Sequence, residues 1–435
     1  MIKSTPWQHI NTFDEKIAWF KTNQHICVKP FQTLQIEVSA DNKLIARPCC
    51  NYRIPEEFKL PVAQQFIEVK DDIRTGKKNS LCGTCWTIEQ TNDYSERIRE
   101  ITPWNIVSND LMLSDLLTEK QYSSEFNIGI KFSNFCNLAC RSCNIYVSST
   151  FASTIGNTNI PVGITDDISN DPVKWELLID GIDEILKHNQ YVNIGLIGGE
   201  SMIQPGAIKL VEYLVEQEVC NRITLGMTSN FTNLNRQIVD HFDKFRKVTL
   251  TASIDSIGEN YHYVRWPAKF PKIQRHLDEL AELQKQNTNI ELTIASVFGL
   301  NNIFYINEYL DFLLDALNNN FSTRIHVLFL KSPELMSIEN LPIKYRPELL
   351  EYVWAALNHP VLELNNASSM KLFLQGVNQF LTTDQVVYNL FDDFLKFTAD
   401  FDQRTNCYFE EFNQRFYSRL DTNDRLLYNK YLGRQ

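Results

Sequence analysis

Short apolar runs alternate with amphipathic segments from about residue 125 onward, and few folds accommodate that pattern. The apolar runs have the length and composition of buried strands, and they cover Asn127–Ser133, Val192–Ile197, Thr224–Thr228, Val248–Ile254, Glu291–Phe298 and Ile325–Leu330. Segments of helical periodicity lie between them, at 173–188, 204–217, 268–286 and 304–317. Strands that alternate with helices indicate a parallel sheet with right-handed crossovers. Six such units predict an α/β fold: a partial (β/α)6 TIM-like barrel, open on one side.

The chain of 435 residues is long enough for two or three domains. Its first hundred residues are irregular and rich in cysteine. They include a predicted hairpin of Leu34–Val38 and Lys43–Ala46, with a turn at Asp41-Asn42, and a predicted helix over 62–75. Residues 344–435 are predicted to be helical and are rich in Phe and Tyr. We therefore expect a cysteine-rich domain over 1–110, the barrel over 111–335 and an α-helical C-terminal extension over 336–435.

The net charge of −11 limits the partners of this chain. Unspecific binding to nucleic acid or anionic membranes depends on Lys and Arg facing phosphates, so both partners are disfavoured. The N-terminus lacks an apolar signal core, and no run of about 18 apolar residues exists that would span a bilayer. We expect a cytoplasmic protein with no membrane partner.

Eight of the ten cysteines fall in the first third of the chain. Without a signal peptide, such clustering indicates metal binding and not a disulfide framework. Cys220 and Cys407 stand apart from the rest, and each is predicted to be a small buried apolar residue.

Three of these cysteines, Cys136, Cys140 and Cys143, lie within eight residues directly after the first predicted barrel strand. Active sites of βα folds lie at the carboxyl ends of strands, where this loop falls. Structural zinc sites and closed iron–sulfur clusters use four protein ligands. Three thiolates on a [4Fe–4S] cluster leave one iron free to bind a small molecule. The alternative is a zinc site completed by a remote His or Cys.

Gly198-Gly199-Glu200 follows the second predicted strand, beside the cysteine loop. Two glycines let the backbone approach a ligand closely, and the carboxylate accepts hydrogen bonds from an ammonium group. The motif alone is weak, since such a sequence is usually a turn, but its place at a strand end favours a binding role.

A second set of thiols lies near the N-terminus, at Cys27, at Cys49 or Cys50, and at Cys82 and Cys85. Four thiolates from a hairpin and a C-x2-C loop suit a closed tetrahedral site, for which zinc and [4Fe–4S] are both compatible. Adjacent side chains rarely point at one metal, so one of Cys49 and Cys50 is expected to be a bystander. Cys49 fits the spacing better and is favoured, with Cys50 as the alternative. His25 lies two residues before Cys27 and is predicted to be a surface or second-layer residue.

The cysteine loop after strand one and the Gly-Gly-Glu after strand two resemble the radical S-adenosylmethionine (SAM) superfamily over roughly 125–330. The resemblance implies that Cys136, Cys140 and Cys143 hold a [4Fe–4S] cluster whose fourth iron binds SAM. It implies that the Gly198–Glu200 segment binds the SAM amino group. Reductive cleavage then gives a 5′-deoxyadenosyl radical that abstracts hydrogen from substrate. No catalytic side chain is assigned.

Further SAM contacts are implied by the resemblance at later strand ends. Ser229 and Asn230 end strand three, and Ser253-Ile-Asp255 resembles a segment of peptide-modifying members. Arg265 follows ten residues after Asp255, like an arginine that meets the SAM carboxylate in those members. One departure is Ser142, where members commonly have an aromatic residue near the adenine. Stacking is then expected from Phe135 or Tyr146.

The N-terminal cysteines resemble half of a SPASM motif, the twitch domain, which holds one auxiliary [4Fe–4S] cluster. Here it precedes the barrel, as in N-terminal twitch radical SAM proteins, and Glu89 and Arg97 fit that likeness. The cluster would accept an electron from substrate or hold the domain together. The resemblance implies oxidation or cross-linking of a peptide or protein side chain, with a small molecule such as a nucleotide or amino acid as the alternative substrate. Flavodoxin or ferredoxin is the expected electron donor.

His262 is expected near Arg265, lining the pocket. Asp402 and Arg404 are expected to form an ion pair in the C-terminal helices. The non-enzymatic alternative for the whole chain is a zinc or iron–sulfur scaffold.

Overall fold

The computed structural model describes residues 13–39, 41–90, 95–99, 125–156, 166–318 and 323–434. Their contacts divide into two compact units. The first unit comprises Met1–Ser133, Thr165–Ile197 and Tyr213–Leu225, and the second comprises Asn134–Ile164, Gly198–Glu212 and Gly226–Gln435.

The strands, in chain order, are β1 (Thr33–Val38), β2 (Leu44–Arg47), β3 (Glu56–Glu57), β4 (Glu125–Lys131), β5 (Ala139–Cys140), β6 (Tyr191–Leu196), β7 (Ile223–Ser229), β8 (Lys247–Ser253), β9 (Arg265–Trp266), β10 (Ile290–Phe298) and β11 (Thr323–Phe329). The α-helices are α1 (Phe13–Thr22), α2 (Lys29–Gln32), α3 (Ile67–Arg74), α4 (Gly83–Gln90), α5 (Glu96–Arg99), α6 (Ser149–Ile155), α7 (Pro172–His188), α8 (Pro205–Glu216), α9 (Arg236–Val239), α10 (Gly258–Val264), α11 (Phe270–Gln286), α12 (Ile306–Asn318), α13 (Arg346–Leu357), α14 (Ser368–Leu381), α15 (Phe391–Thr405), α16 (Phe409–Phe412), α17 (Gln414–Tyr417) and α18 (Thr422–Tyr431).

The sheet of the first unit contains the predicted hairpin. β1 and β2 pair antiparallel, and Asn42 adopts the left-handed conformation that the turn requires, with φ of 62°. β1 also pairs parallel with β4, which pairs parallel with β6. Residues of β1 and β4 alternate between buried and partly exposed, so one face of each strand lies against the core.

The second unit contains the later barrel strands. β10 pairs parallel with both β8 and β11 over most of its length. A short antiparallel ribbon, β5 with β9, sets Cys140 opposite Arg265. The ribbon therefore fixes one cysteine of the loop against a segment that lies 125 residues further along the chain.

The predicted α/β fold with a large, mostly parallel sheet is confirmed. All six predicted barrel runs contain a strand, and the four predicted intervening helices appear as α7, α8, α11 and α12. The helix expected over 62–75 is shorter. Phe66 has φ of 58°, which a helix interior does not allow, so α3 begins only at Ile67. The predicted domain limits stay a prediction.

The C-terminal helices pack largely through aromatic rings. Phe416, for example, lies 4.8 Å from Phe304 and 5.5 Å from Phe409 between ring centroids. Every helix that the structure describes is too short or too polar to span a lipid bilayer.

The expected ion pair between Asp402 and Arg404 is wrong. Arg404 pairs with Asp400, and Asp402 pairs with Arg141. Residues two apart on a helix lie on different faces, whereas residues four apart are neighbours.

Candidate cluster and cofactor site

The cysteine loop of the second unit is held by backbone-directed hydrogen bonds. The Cys136 N–H donates to Ser149 Oγ at 3.1 Å, and Ser148 Oγ donates to the Leu138 carbonyl at 2.6 Å. Ser148 also caps α6 by accepting from the Phe151 N–H. The Cys143 N–H donates to the Cys140 carbonyl at 2.9 Å, closing a turn between the second and third cysteines. The start of α6 thus fixes the loop.

Cys136 is buried, and Cys140 and Cys143 are half-buried. Burial raises the pKa of the Cys136, Cys140 and Cys143 thiols, in the case of Cys143 to about 11. Neighbouring thiols reinforce this pKa increase at Cys140 and Cys143, the Glu200 carboxyl reinforces it at Cys136, and Arg265 opposes it at all three. Loading a metal cluster here would therefore release protons from neutral thiols.

The Gly-Gly-Glu segment lies directly against this loop. Gly198 and Gly199 have φ of 75° and 56°. The Gly199 N–H donates to the Val147 carbonyl at 3.2 Å, and the Glu200 N–H donates to the Phe135 carbonyl at 2.9 Å. A Cβ on Gly199 would lie 2.3 Å from the Phe135 oxygen. Glycine is therefore needed for both conformation and space.

Glu200 is buried, with 1% of its surface exposed. Its carboxylate accepts hydrogen bonds from Ser229 Oγ at 2.7 Å, from the Asn230 N–H at 2.6 Å and from the Met202 N–H at 3.1 Å. Burial nevertheless raises the pKa of this carboxyl, because the three donors and Arg265 only partly offset the loss of water.

The end of β7 joins this group to the cysteine loop. Asn230 Nδ2 donates to Asn137 Oδ1 at 3.0 Å and lies 4.0 Å from Cys136 Sγ. Ser229 and Asn230 are therefore brought together with Glu200 and the first cysteine. Ser253 is the last residue of β8 and is half-buried.

Asp255 and Arg265 form a buried ion pair beside the second cysteine. Arg265 Nε donates to Asp255 Oδ2 at 2.8 Å, and Arg265 Nη1 lies 3.8 Å from Cys140 Sγ. Burial opposes the positive charge, but Asp255 and Cys140 together raise the pKa of Arg265. Asp255 is fixed in turn by the Val297 N–H at 2.9 Å. A permanent cation thus lies next to the thiol set.

The three residues considered for the adenine position are Ser142, Phe135 and Tyr146. Ser142 lines a small cavity with Asp255, Val297 and Asn302. Phe135 and Tyr146 are 41% and 62% exposed, and their predicted contact with adenine stays a prediction.

His262 and the two isolated cysteines lie outside this group. His262 contacts the Ala268 carbonyl at 3.1 Å, and its ring lies 5.3 Å from that of Phe412. Cys220 and Cys407 are buried, as expected.

The first unit contains a cavity lined by all four favoured N-terminal cysteines: Cys27, Cys49, Cys82 and Cys85. Burial and the neighbouring thiols raise the pKa of Cys49 to about 11 and of Cys82 to about 12. Cys50 is exposed, and the lining of this cavity does not include it.

Polar groups surround the same cavity. Asn51 Nδ2 donates to Cys85 Sγ at 3.5 Å. Arg97 is buried and pairs with Glu89 at 2.5 Å, and His25 also lines the wall. Burial and the charges of Arg97 and Lys78 lower the pKa of His25.

Among the residues that the structure describes, no group of three or more His, Cys, Asp or Glu side chains is arranged to hold a metal ion. The donor types nonetheless fit iron–sulfur clusters, which are held by cysteine thiolates. The second-unit loop supplies three thiols, and the first-unit cavity supplies four.

Sequence reasoning missed Arg141, which lies between two of the cysteines and is almost fully buried. An arginine inside a cysteine-rich loop carries no local signal of what it contacts. Its ion-pair partner, Asp402, is 261 residues away.

Residues 130–313 match the family model described as the Radical SAM superfamily. No curated protein matches the chain. Similar solved structures include native anSMEcpe with bound AdoMet and Cp18Cys peptide, 20% identical over 53% of this chain and 60% of that chain, with a TM-score of 0.36. Native anSMEcpe with bound AdoMet is 16% identical over 70% and 96% of the two chains, with a TM-score of 0.40. Streptococcus suis SuiB bound to S-adenosylmethionine is 14% identical over 72% and 67%, with a TM-score of 0.35. This chain therefore spans 60% of the first of these structures.

Proposed function

We propose that this chain, an enzyme whose residues 130–313 form a radical SAM domain, holds a [4Fe–4S] cluster on Cys136, Cys140 and Cys143. The observation that carries this assignment is the convergence of Glu200, Asn230 and Arg265 on the three-thiol loop. When bound, the cluster and SAM supply a 5′-deoxyadenosyl radical that abstracts hydrogen from substrate.

The surrounding residues bind and orient SAM. The Glu200 carboxylate accepts hydrogen bonds from the SAM ammonium group, and Gly198 and Gly199 let the backbone approach it. Arg265 pairs with the SAM carboxylate while Asp255 holds the guanidinium in place. Ser229, Asn230 and Ser253 contribute polar contacts at neighbouring strand ends. These roles rest on the sequence resemblance and on the proximity of Glu200, Asn230 and Arg265 to the cysteine loop.

An auxiliary [4Fe–4S] cluster is assigned to Cys27, Cys49, Cys82 and Cys85. The shared cavity supports it, and the position of Cys50 on the surface favours Cys49 as the ligand. With four cysteine ligands, the cluster either accepts an electron from the substrate radical or holds its domain together. The resemblance of these N-terminal cysteines to a twitch domain supports the choice of cluster over zinc.

The proposed substrate is a peptide or protein side chain that is oxidised or cross-linked. The support is the likeness of Ser253-Ile-Asp255 to peptide-modifying members and the twitch-like cysteine pattern. Flavodoxin or ferredoxin would supply the electron, and the cytoplasm is the proposed location. Co-expression with candidate precursor peptides tests the substrate class. A mass change in a peptide is expected, and turnover of a free nucleotide or amino acid in its place would contradict it.

Anaerobic reconstitution tests the cofactor content. The proposal predicts a brown protein with broad absorbance near about 400 nm and about eight irons per chain, as expected for two clusters. A colourless protein that binds zinc in place of iron would identify a metal scaffold instead. Variants Cys140→Ala and Cys82→Ala should each lose one cluster and keep the other.

A further inference from the structure

Arg141 lies inside the cysteine loop, between Cys140 and Ser142, yet only 1% of its surface is exposed. Its side chain leaves the loop and enters the C-terminal helices. Nε donates to the Tyr263 carbonyl at 2.8 Å, and Nη2 donates to the Cys407 carbonyl at 3.2 Å and to Asp402. The guanidinium lies 3.6 Å from the Tyr263 ring centroid, a cation–π contact.

Asp402, on α15, is completely buried and fixed from two further sides. Its Oδ2 accepts hydrogen bonds from the Tyr428 hydroxyl at 2.6 Å and from the Phe409 N–H at 2.7 Å. Tyr428 belongs to α18, and Phe409 begins α16. The anchor of Arg141 is therefore built from α15, the start of α16 and α18.

The same loop residue is also held through its backbone. The Arg141 N–H donates to the Val264 carbonyl at 2.9 Å, next to the pairing of Cys140 with Arg265. The backbone hydrogen bond fixes the path of the loop, and the contacts of the Arg141 side chain fix the orientation of the loop. A buried arginine without its carboxylate would keep an uncompensated charge, which the loop would relieve by moving towards water.

We infer that Arg141 is a positioning residue of the cluster loop, and that Asp402 on α15 is its anchor. The C-terminal helices then belong to the cluster site, because they set the orientation of Cys140 and Cys143. This inference rests on the proposed cluster at the loop, but not on the reaction carried out there.

Two isosteric substitutions on one helix test the inference. Asp402→Asn removes the buried charge, whereas Asp400→Asn removes a charge that pairs with Arg404 at the surface. Full-length proteins are reconstituted anaerobically, and iron, sulfide and the electron paramagnetic resonance (EPR) spectrum of the reduced protein are measured with and without SAM. Asp402→Asn should fall from about eight to about four irons per chain and lose the spectral change caused by SAM. Asp400→Asn should keep both.

Two more variants separate loop positioning from general folding. Arg141→Met combined with Asp402→Leu replaces the ion pair by apolar groups, which is often tolerated for stability. The double variant should fold, as judged by circular dichroism, and still lose the loop cluster, because the bonds to Tyr263 and Cys407 are gone. Arg141→Lys keeps the positive charge but lacks the several donors of the planar guanidinium. This variant should retain more iron and a larger response to SAM than the double variant.

Two outcomes overturn the inference. One is full iron loading and an unchanged SAM-dependent spectrum in Asp402→Asn. The other is full loading in the folded double variant. A wild-type protein with both clusters and a SAM-dependent spectrum, but no SAM cleavage, would refute the proposed reaction and leave this inference standing.

Discussion

Glu200→Gln removes the negative charge that the SAM ammonium group should meet, while changing the shape of the side chain very little. Glu200 is buried and accepts three hydrogen bonds, so its position is fixed before SAM arrives. The substitution therefore tests charge, with little change in packing.

The size of the effect follows from the bond that is lost. A hydrogen bond to a charged partner contributes about 1.5–3 kcal/mol. Since about 1.4 kcal/mol is tenfold in affinity, the Kd for SAM should rise by roughly 10- to 150-fold. A glutamine side chain has one oxygen where Glu200 has two. One of the three groups that donate hydrogen bonds to Glu200 would therefore face an amide N–H. That mismatch should lower the free energy of unfolding by about 1–3 kcal/mol.

Equilibrium binding of SAM to the anaerobically reconstituted protein measures the first effect, and urea unfolding of the apoprotein measures the second. Glu216→Gln is the matched control, because Glu216 is exposed near the end of α8. It should change neither quantity. A Glu200→Gln protein that binds SAM with unchanged Kd would refute the role of this carboxylate.

Glu200 also predicts a pH dependence. Its pKa is raised in the folded protein, mainly by burial, so folding favours the protonated carboxyl. Its contribution to stability is then full below the unfolded pKa and is lost as pH rises through the folded pKa. Binding of an ammonium group needs the carboxylate, so SAM affinity should increase with pH over the same interval. Glu200→Gln should flatten both profiles, and an equal slope in the variant would contradict the assignment.

Three further predictions concern the other parts of the site. Cys49→Ala should lose about four irons per chain, and Cys50→Ala should lose none, since only Cys49 lines the cavity; the reverse iron contents would exchange the two residues. Gly199→Ala and Gly258→Ala start from the same φ of 56°, but only Gly199 has neighbours within 4 Å of the new methyl group. Urea unfolding should show a cost of about 1–2 kcal/mol for Gly258→Ala and a larger one for Gly199→Ala, and equal costs would argue against the close approach to the loop. Asn51→Leu should lower the reduction potential of the N-terminal cluster without changing iron content, because it removes a hydrogen bond to Cys85; an unchanged potential in an EPR-monitored titration would contradict this.

The strands and intervening helices could be predicted because period and length are local properties of the sequence. The limits were less exact for a physical reason. The apolar alternation continues to Phe132, which is fully buried, although β4 ends at Lys131. Burial thus extends past the last hydrogen-bonded residue, and a pattern of burial alone cannot locate the end of a strand.

The contacts that position the loop could not be predicted, because they join residues far apart in sequence. Asp402 was paired with a neighbour on its own helix, whereas its partner is Arg141. The pairing of β1 with β4 is equally hidden, because the composition predicts a cysteine-rich domain separate from the barrel sheet. The sequence spacing favours Cys49 over Cys50, and in the structure Cys49 lines the cavity whereas Cys50 is exposed. The choice of ligand stays a prediction.

The most direct test of the account is SAM cleavage by the reconstituted protein under anaerobic, reducing conditions. We predict formation of 5′-deoxyadenosine by the wild-type protein and none by Cys140→Ala, in which the N-terminal cluster is retained. A fully loaded wild-type protein that forms no 5′-deoxyadenosine would contradict the account, as would a Cys140→Ala variant that still forms it.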